Sequence, residues 1–189
     1  GVCKEQPHAV YLCDPVIGDG EQLYVGSDLA AAIRDELLPL ADVATPNAFE
    51  TRWLAAAPDA GEPDLGLLAG RLPPPTVLVT SAPALMRGHV GNLLVQPEAV
   101  HLIEHPAVPS AAKGTGDLVA ALLLARRLQG HDWEKAAQLA ISSVFEIIAG
   151  TAKAGADELL LAALQHALVQ PRAPVNIRRI AARAPAPCG

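Results

Sequence analysis

Lys113-Gly114-Thr115-Gly116-Asp117-Leu118-Val119-Ala120-Ala121-Leu122-Leu123-Leu124 runs from a glycine-flanked turn straight into a long apolar helix, with one acid in its first turn. Gly114 and Gly116 lack a Cβ, so the backbone there can approach a ligand closely and take φ values closed to other residues. The first N–H groups of a helix have no partner inside it, and the macrodipole adds positive potential at that end. Such a turn suits an anion, most naturally a phosphate. Asp117 has two readings: a first-turn acid like that of many helices, or a carboxylate set beside the anion to take a proton.

Working outward, the composition fits a helix-and-sheet protein. The chain has 189 residues, 51% of them hydrophobic and only 3% aromatic, with Ala and Leu dominant. That length allows one domain with a substantial core, and that composition favours α/β architecture. A formal charge of −6 argues against nucleic acid or anionic membrane as the main partner. Cys3, Cys13 and Cys188 are odd in number and form no CxxC, which points away from a disulfide framework and towards a reducing cytoplasm. No apolar run is long enough to cross a bilayer. The six histidines form no HxxxH or HExxH pair, so they read as ordinary surface or core residues.

Taken in order, Ala9–Cys13 reads as a short buried strand ending at Asp14-Pro15-Val16-Ile17-Gly18-Asp19. Ser27-Asp28 caps a helix predicted over Leu29–Leu38, stopped by Pro39. A second strand, Ala41–Ala44, runs into Thr45-Pro46-Asn47-Ala48-Phe49-Glu50, with a helix over Ala48–Ala56. Pro58–Pro63 is a loop and Leu65–Arg71 a weak helix. A third strand, Thr76–Val79, delivers Thr80 and Ser81 to its end. Strands alternating with helices signal βα units and a parallel sheet, with ligands gathered beyond the strands' carboxyl ends.

Gly91–Val95 and Ala99–Ile103 read as an antiparallel hairpin at the sheet edge, followed by a loop from His105 to Lys113. The anion-turn helix is predicted over Asp117–Gln129, with Gly130 as its C′ residue and Leu118, Ala121, Leu122 and Ala125 on an apolar face that Leu123 and Leu124 widen. Helices over Trp133–Ala149 and Ala156–Val169 follow. Residues 1–170 are then one domain and 171–189 an irregular, mobile tail whose Arg172, Arg178, Arg179 and Arg183 form a solvated face.

The ordered set Asp14-Pro15-Val16-Ile17-Gly18-Asp19, Tyr24-Val25, Leu38–Val43, Thr45–Glu50, Val79-Thr80-Ser81 and Gly114–Asp117 resembles pyridoxal kinase, of the ribokinase-like superfamily, from about Ala9 to Pro171. The resemblance implies a three-layer α/β sandwich with a mostly parallel sheet and helices on both faces. It implies that Asp117 is the general base for the substrate's 5′-hydroxymethyl group. The N–H groups of Gly114, Thr115 and Gly116 would hold the charge on the phosphoryl in transfer. Asp14 and Glu50, with Thr45 and Asn47, would arrange Mg²⁺, its waters and a monovalent cation (K⁺ or Na⁺) around the ATP phosphates, and Asp19 matches a further acid of that loop. Thr80 and Ser81 match residues that contact ATP phosphates, and His105-Pro106-Ala107-Val108 falls where the family covers the nucleotide. Lys113 reads as a solvated loop lysine.

The family's chains carry further βα units ahead of this point, with much of the pyridoxal pocket, and nothing in this sequence corresponds to them, so the resemblance implies either a partial chain or a truncated relative. A sheet without them exposes an edge and apolar helix faces, which implies a homodimer. Two other functions stay open at this point: a hydroxymethylpyrimidine kinase of thiamine synthesis, and a truncated, non-catalytic nucleotide-binding module. Tyr24, Thr45-Pro46-Asn47 with Phe49-Glu50, and Thr80-Ser81 favour the vitamin B6 enzyme, acting on pyridoxal and also pyridoxine or pyridoxamine.

Overall fold

The structure, a computed structural model, describes residues 9–56, 64–110 and 112–182. Six strands are hydrogen-bonded in the order β1-β4-β5-β6-β7-β8, and β2 and β3 form a separate two-stranded ribbon. Chain contacts divide the molecule into two compact units. One runs to Ala82 and takes in Leu93–His101 and the chain from Arg179; the other is Pro83–Asn92 with Leu102–Arg178.

In the first unit, β1 (Leu12–Cys13), β4 (Val43–Ala44) and β5 (Thr76–Ala82) pair in parallel, Leu12 opposite Val43 and Val43 opposite Thr76. Their side chains are apolar on both sides, as parallel strands require. Val43, Ala44, Val77, Leu78 and Val79 are all buried, and burying a side chain of that size stabilises by roughly 1.5–3 kcal/mol. The expected strands are present, but Thr80 and Ser81 lie inside β5 instead of beyond it. Ser81 takes φ 53, a left-handed value uncommon for a residue with a Cβ.

The helix predicted over Leu29–Leu38 begins earlier, as α1 (Ser27–Ala32), and continues as a π-helical turn (Ile33–Leu37) and a 3₁₀ turn (Leu38–Leu40). Pro39 therefore sits within the final turn, where its missing N–H costs no helical bond. α2 (Ala48–Leu54) and α3 (Leu65–Ala69) match their predicted positions. The ribbon of β2 (Gly18–Asp19) and β3 (Gln22–Leu23) was not foreseen; it turns through Gly20 at φ 63.

In the second unit, α4 (Thr115–Leu128) and α5 (Trp133–Lys153) are its long helices, with Leu123, Ala136, Ala137, Ala140, Ile141 and Ile147 buried. Gly130 has φ 94 directly after α4, as expected of a C′ glycine. The apolar face of α4 coincides with the predicted one at Leu122 and Leu123 and is rotated from it elsewhere. Val119, Leu122, Leu123 and Arg126 are buried, whereas Ala121 and Ala125 are exposed. Arg126 holds its place in that stripe by donating to the Leu168 carbonyl at 2.7 Å and to Gln129 Oε1 at 3.2 Å.

Three further expectations are corrected. Only α6 (Gln165–Val169) of the predicted Ala156–Val169 helix forms, and Leu160 N–H bonds instead to Thr151 Oγ1. β6 (His89–Val95) and β7 (Ala99–Pro106) are joined by three residues, a link short enough only for antiparallel neighbours. They are not at the edge, because β8 (Asn176–Ala182) lies beyond β7. The tail expected to be irregular over 171–189 is thus a sheet strand over Asn176–Ala182. Its order comes from distant partners: Glu146 accepts N–H groups of Arg172 and Ala173, Arg178 pairs with buried Glu104, and Arg179 donates to the Glu98 carbonyl. Arg178 and Arg179 are exposed, as expected of a solvated face, but each is also held by a partner within the chain. Arg183, Cys3, Cys188 and the Pro58–Pro63 loop lie outside the described residues.

Candidate active site

The first unit gathers polar groups just past β1 and β4. Asp14 follows β1 and Thr45 follows β4, and the Thr45 hydroxyl donates to Asp14 Oδ1 at 2.8 Å. Asn47 caps α2: its Oδ1 accepts Glu50 N–H at 2.9 Å, and Glu50 Oε2 accepts Asn47 N–H at 2.8 Å. This reciprocal capping box is what Asn followed three residues later by Glu specifies. The same two side chains reach the loop after Asp14. Glu50 Oε1 accepts N–H groups of Ile17 at 2.9 Å and Gly18 at 3.3 Å, and Asn47 Nδ2 donates to the Gly18 carbonyl at 2.8 Å. Gly18 must be glycine, since a Cβ there would collide with the Gln22 carbonyl and the Phe49 ring. Thr80 joins the cluster by its backbone, donating to the Pro46 carbonyl at 2.9 Å.

Glu50 is 4% exposed. Burial raises its pKa against the three N–H bonds that lower it, and the charge of Asp14 pushes it further up. Burial likewise pushes up the thiol of Cys13, which is free and enclosed. The expected metal set of Asp14, Asp19 and Glu50 does not assemble: among the described residues no group of three or more His, Cys, Asp or Glu side chains is placed to hold a metal. Glu50 spends both oxygens on backbone donors, and Asp19 is exposed with Oδ1 accepting its neighbour Gly20's N–H at 2.7 Å. What remains is an oxygen-rich cluster with two acids near enough to repel. That electrostatic character fits a hard cation such as Mg²⁺ held chiefly through Asp14 and water.

The second unit carries the glycine turn. Gly114 is the N-cap of α4 at φ 83, a left-handed conformation that glycine adopts without strain. No side chain caps this helix, so Asp117 is not bonded to its amino end. Asp117 is exposed, and its Oδ2 lies 4.0 Å from where a Cβ on Gly114 would stand, so the carboxylate folds back over the turn. Gly116 and Lys113 are exposed and Thr115 is half-buried. His105 is the penultimate residue of β7, stacked on Phe145 with ring centroids 4.9 Å apart, and its Nδ1–H donates to the Pro106 carbonyl at 2.9 Å. Burial holds its pKa below the ordinary histidine value. Pro106 and Ala107 are exposed and Val108 is half-buried, with Ala107 N–H donating to the Gly88 carbonyl at 2.8 Å.

Sequence reasoning passed over Glu104, whose side chain is fully enclosed. One signal was available: a lone acid within a strand, directly after the apolar pair Leu102-Ile103, is out of place unless it has partners.

Comparison with known proteins places these groups in a lineage. The family model described as phosphomethylpyrimidine kinase matches residues 2–161. Pyridoxal kinase PdxY of Leifsonia xyli is 35% identical over 180 residues, covering 92% of this chain and 64% of that protein. Pyridoxal kinase PdxY of Rubrobacter xylanophilus is 37% identical over 187 residues, covering 93% and 63%. The chain spans just under two thirds of the length of these relatives. A solved pyridoxal kinase from Leishmania donovani, in complex with ADP and pyridoxamine, superposes with a TM-score of 0.82 at 27% identity over 94% of this chain and 65% of that one. With its mixed α/β sheet of ribokinase-like fold and a family match over most of its length, the chain belongs to the phosphomethylpyrimidine kinase family.

Proposed function

We propose that the chain acts as an ATP-dependent pyridoxal kinase, making pyridoxal 5′-phosphate, with pyridoxine and pyridoxamine as further substrates. The observation that carries the reading is the amino end of α4. A left-handed glycine opens a buried helix of 14 residues, and the exposed first-turn acid is not used as a cap. In the reaction the 5′-hydroxymethyl oxygen bonds to the γ-phosphorus of ATP, the bond from that phosphorus to the β–γ bridging oxygen breaks, and ADP leaves. Asp117 takes the hydroxyl proton. The N–H groups of Gly114, Thr115 and Gly116 meet the charge on the phosphoryl oxygens, where phosphoryl transfer most needs help.

Asp14, with Thr45 and Asn47, holds the divalent cation and its waters, and Glu50 holds the loop that carries Asp14 and Asp19. Mg²⁺ and a K⁺ or Na⁺ ion, when bound, would supply charge neutralisation at the ATP phosphates. Thr80 and Ser81 contact the phosphates, and His105, Pro106, Ala107 and Val108 border the nucleotide. The chain works in the cytoplasm as a homodimer.

The relatives' names support pyridoxal, while the family description supports a second substrate, hydroxymethylpyrimidine. A coupled assay offering both alcohols with Mg·ATP decides between them, and faster pyrimidine phosphorylation would reverse the choice. Asp117→Ala is expected to lower turnover by about 10²–10⁴-fold while leaving Mg·ADP binding intact. Unchanged turnover would remove Asp117 from the role of base. Binding of Mg·ATP with no turnover on either alcohol would make the chain a non-catalytic nucleotide-binding module.

A further inference from the structure

We propose that Glu104 is a positioning residue for the nucleotide, acting as a splint between two loops, and that Arg178 on β8 is the group that keeps it in place. Glu104 Oε1 accepts the N–H groups of Leu85 at 2.6 Å and Met86 at 3.0 Å, and Oε2 pairs with the Arg178 guanidinium. Leu85 and Met86 belong to the segment that follows Thr80 and Ser81 along the chain. Glu104 itself directly precedes His105-Pro106-Ala107-Val108. One fully enclosed carboxylate thus joins both segments, and the Ala107 N–H to Gly88 carbonyl bond ties them a second time. Asn176, also on β8, reaches Met86 Sδ at 3.5 Å.

A carboxylate with no exposure is costly unless it is both hydrogen-bonded and charge-paired. Two backbone donors satisfy one oxygen, and the cation comes from a strand more than seventy residues further on. Arg178 is 45% exposed, so its removal strands little of itself in the interior. What it strands is the carboxylate. Glu104 would then be drawn towards solvent, releasing Leu85 and Met86 and with them the register of both loops. The strand that ends the described chain thereby sets the geometry of the 83–88 loop and of the His105–Val108 segment, which carries proposed nucleotide contacts. This step rests on the proposed nucleotide role of His105–Val108; the splint itself does not.

The test uses the 189-residue chain with Arg178→Met, Arg178→Lys, and the pair Glu104→Gln with Arg178→Met. Hydrogen exchange read by mass spectrometry is expected to rise about tenfold or more over residues 83–88 in Arg178→Met, with α5 unchanged. Protection should return in part in Arg178→Lys, which keeps the charge, and in the double variant, which leaves no unpaired carboxylate. Mg·ADP affinity by calorimetry should fall about tenfold in Arg178→Met and recover in Arg178→Lys. Unchanged exchange over 83–88 in Arg178→Met, or a rise spread evenly over every peptide, overturns the splint. Faster exchange with unchanged Mg·ADP affinity overturns the positioning role. Should the unaltered chain fail to bind Mg·ADP, the nucleotide reading and the positioning role both fall, and the exchange data alone decide the splint.

Discussion

Two enclosed carboxylates, Glu50 in one unit and Glu104 in the other, do the same mechanical job in opposite electrostatic surroundings. Each accepts backbone N–H groups from a loop distant in sequence, Ile17 and Gly18 for Glu50, Leu85 and Met86 for Glu104. Beside Glu104 stands the Arg178 guanidinium; beside Glu50 stands the acid Asp14. Burial pushes both pKa values up. For Glu104 the Met86 N–H, the Arg178 guanidinium and the Leu85 N–H together outweigh burial and hold the carboxyl below its usual value. For Glu50 burial wins despite three N–H bonds, and Asp14 adds to it. Glu104 is complete within the chain. The Glu50–Asp14 neighbourhood gains from positive charge supplied from outside, as a proposed Mg²⁺ partner requires.

The largest expected effect tests what the two acids share. Truncating either to alanine leaves backbone N–H groups without acceptors, buried at Ile17 and Gly18 and part-buried at Leu85 and Met86, at a cost of up to roughly 1–3 kcal/mol each. Glu104→Ala should therefore destabilise by about 3 kcal/mol in urea unfolding. Glu50→Ala should cost a similar amount, because three donors are stranded while repulsion from Asp14 is relieved. A cost below about 1 kcal/mol for either would mean that its hydrogen bonds do not hold the loop. The next effect tests what separates them. Mg²⁺ alone, at ten times its Kd, should stabilise the chain by about 1.4 kcal/mol in thermal unfolding. Asp14→Asn should lose most of that increment, and Glu104→Gln should keep all of it. Equal responses from the two variants would erase the distinction between the acids.

What the sequence disclosed and what it concealed divide along the same line. The Asn47–Glu50 capping box, the glycines at positions 114 and 130 and the order of strands and helices are encoded within a few residues of where they act, so spacing alone finds them. β8 is not encoded that way. Its segment is rich in Arg, Ala and Pro, and it becomes a strand through Glu104, Glu98 and Glu146, each far away in the chain. The face of α4 was misread for a similar reason. Arg126 counts as a surface residue by type, yet the Leu168 carbonyl gives it a buried partner and rotates the stripe. At the candidate site, residue types pointed to acids near a cation, but the use of Glu50's two oxygens is geometric information that spacing does not hold.

The smallest expected effect is also the one that reads the difference between the acids most directly, through its sign. Glu104 has a folded pKa depressed below its ordinary 4.5. The stability it supplies is fully present above pH 4.5 and is lost as pH falls through the folded value. Glu50 has a folded pKa raised above 4.5. Its contribution favours the folded chain at acid pH and is lost as pH rises from 4.5 through the folded value. Each contribution is smaller than the loss of a buried hydrogen-bond acceptor, since a glutamine in the same place still offers an oxygen to the loop. Unfolding midpoints measured from pH 3 to pH 7 should therefore change on opposite sides of 4.5: Glu104→Gln flattens the acid limb of the curve, and Glu50→Gln flattens the loss on the neutral side. If both substitutions altered the same limb, Asp14 and Arg178 would not be setting the charge of their neighbours, and the two loops would be held by hydrogen bonds alone.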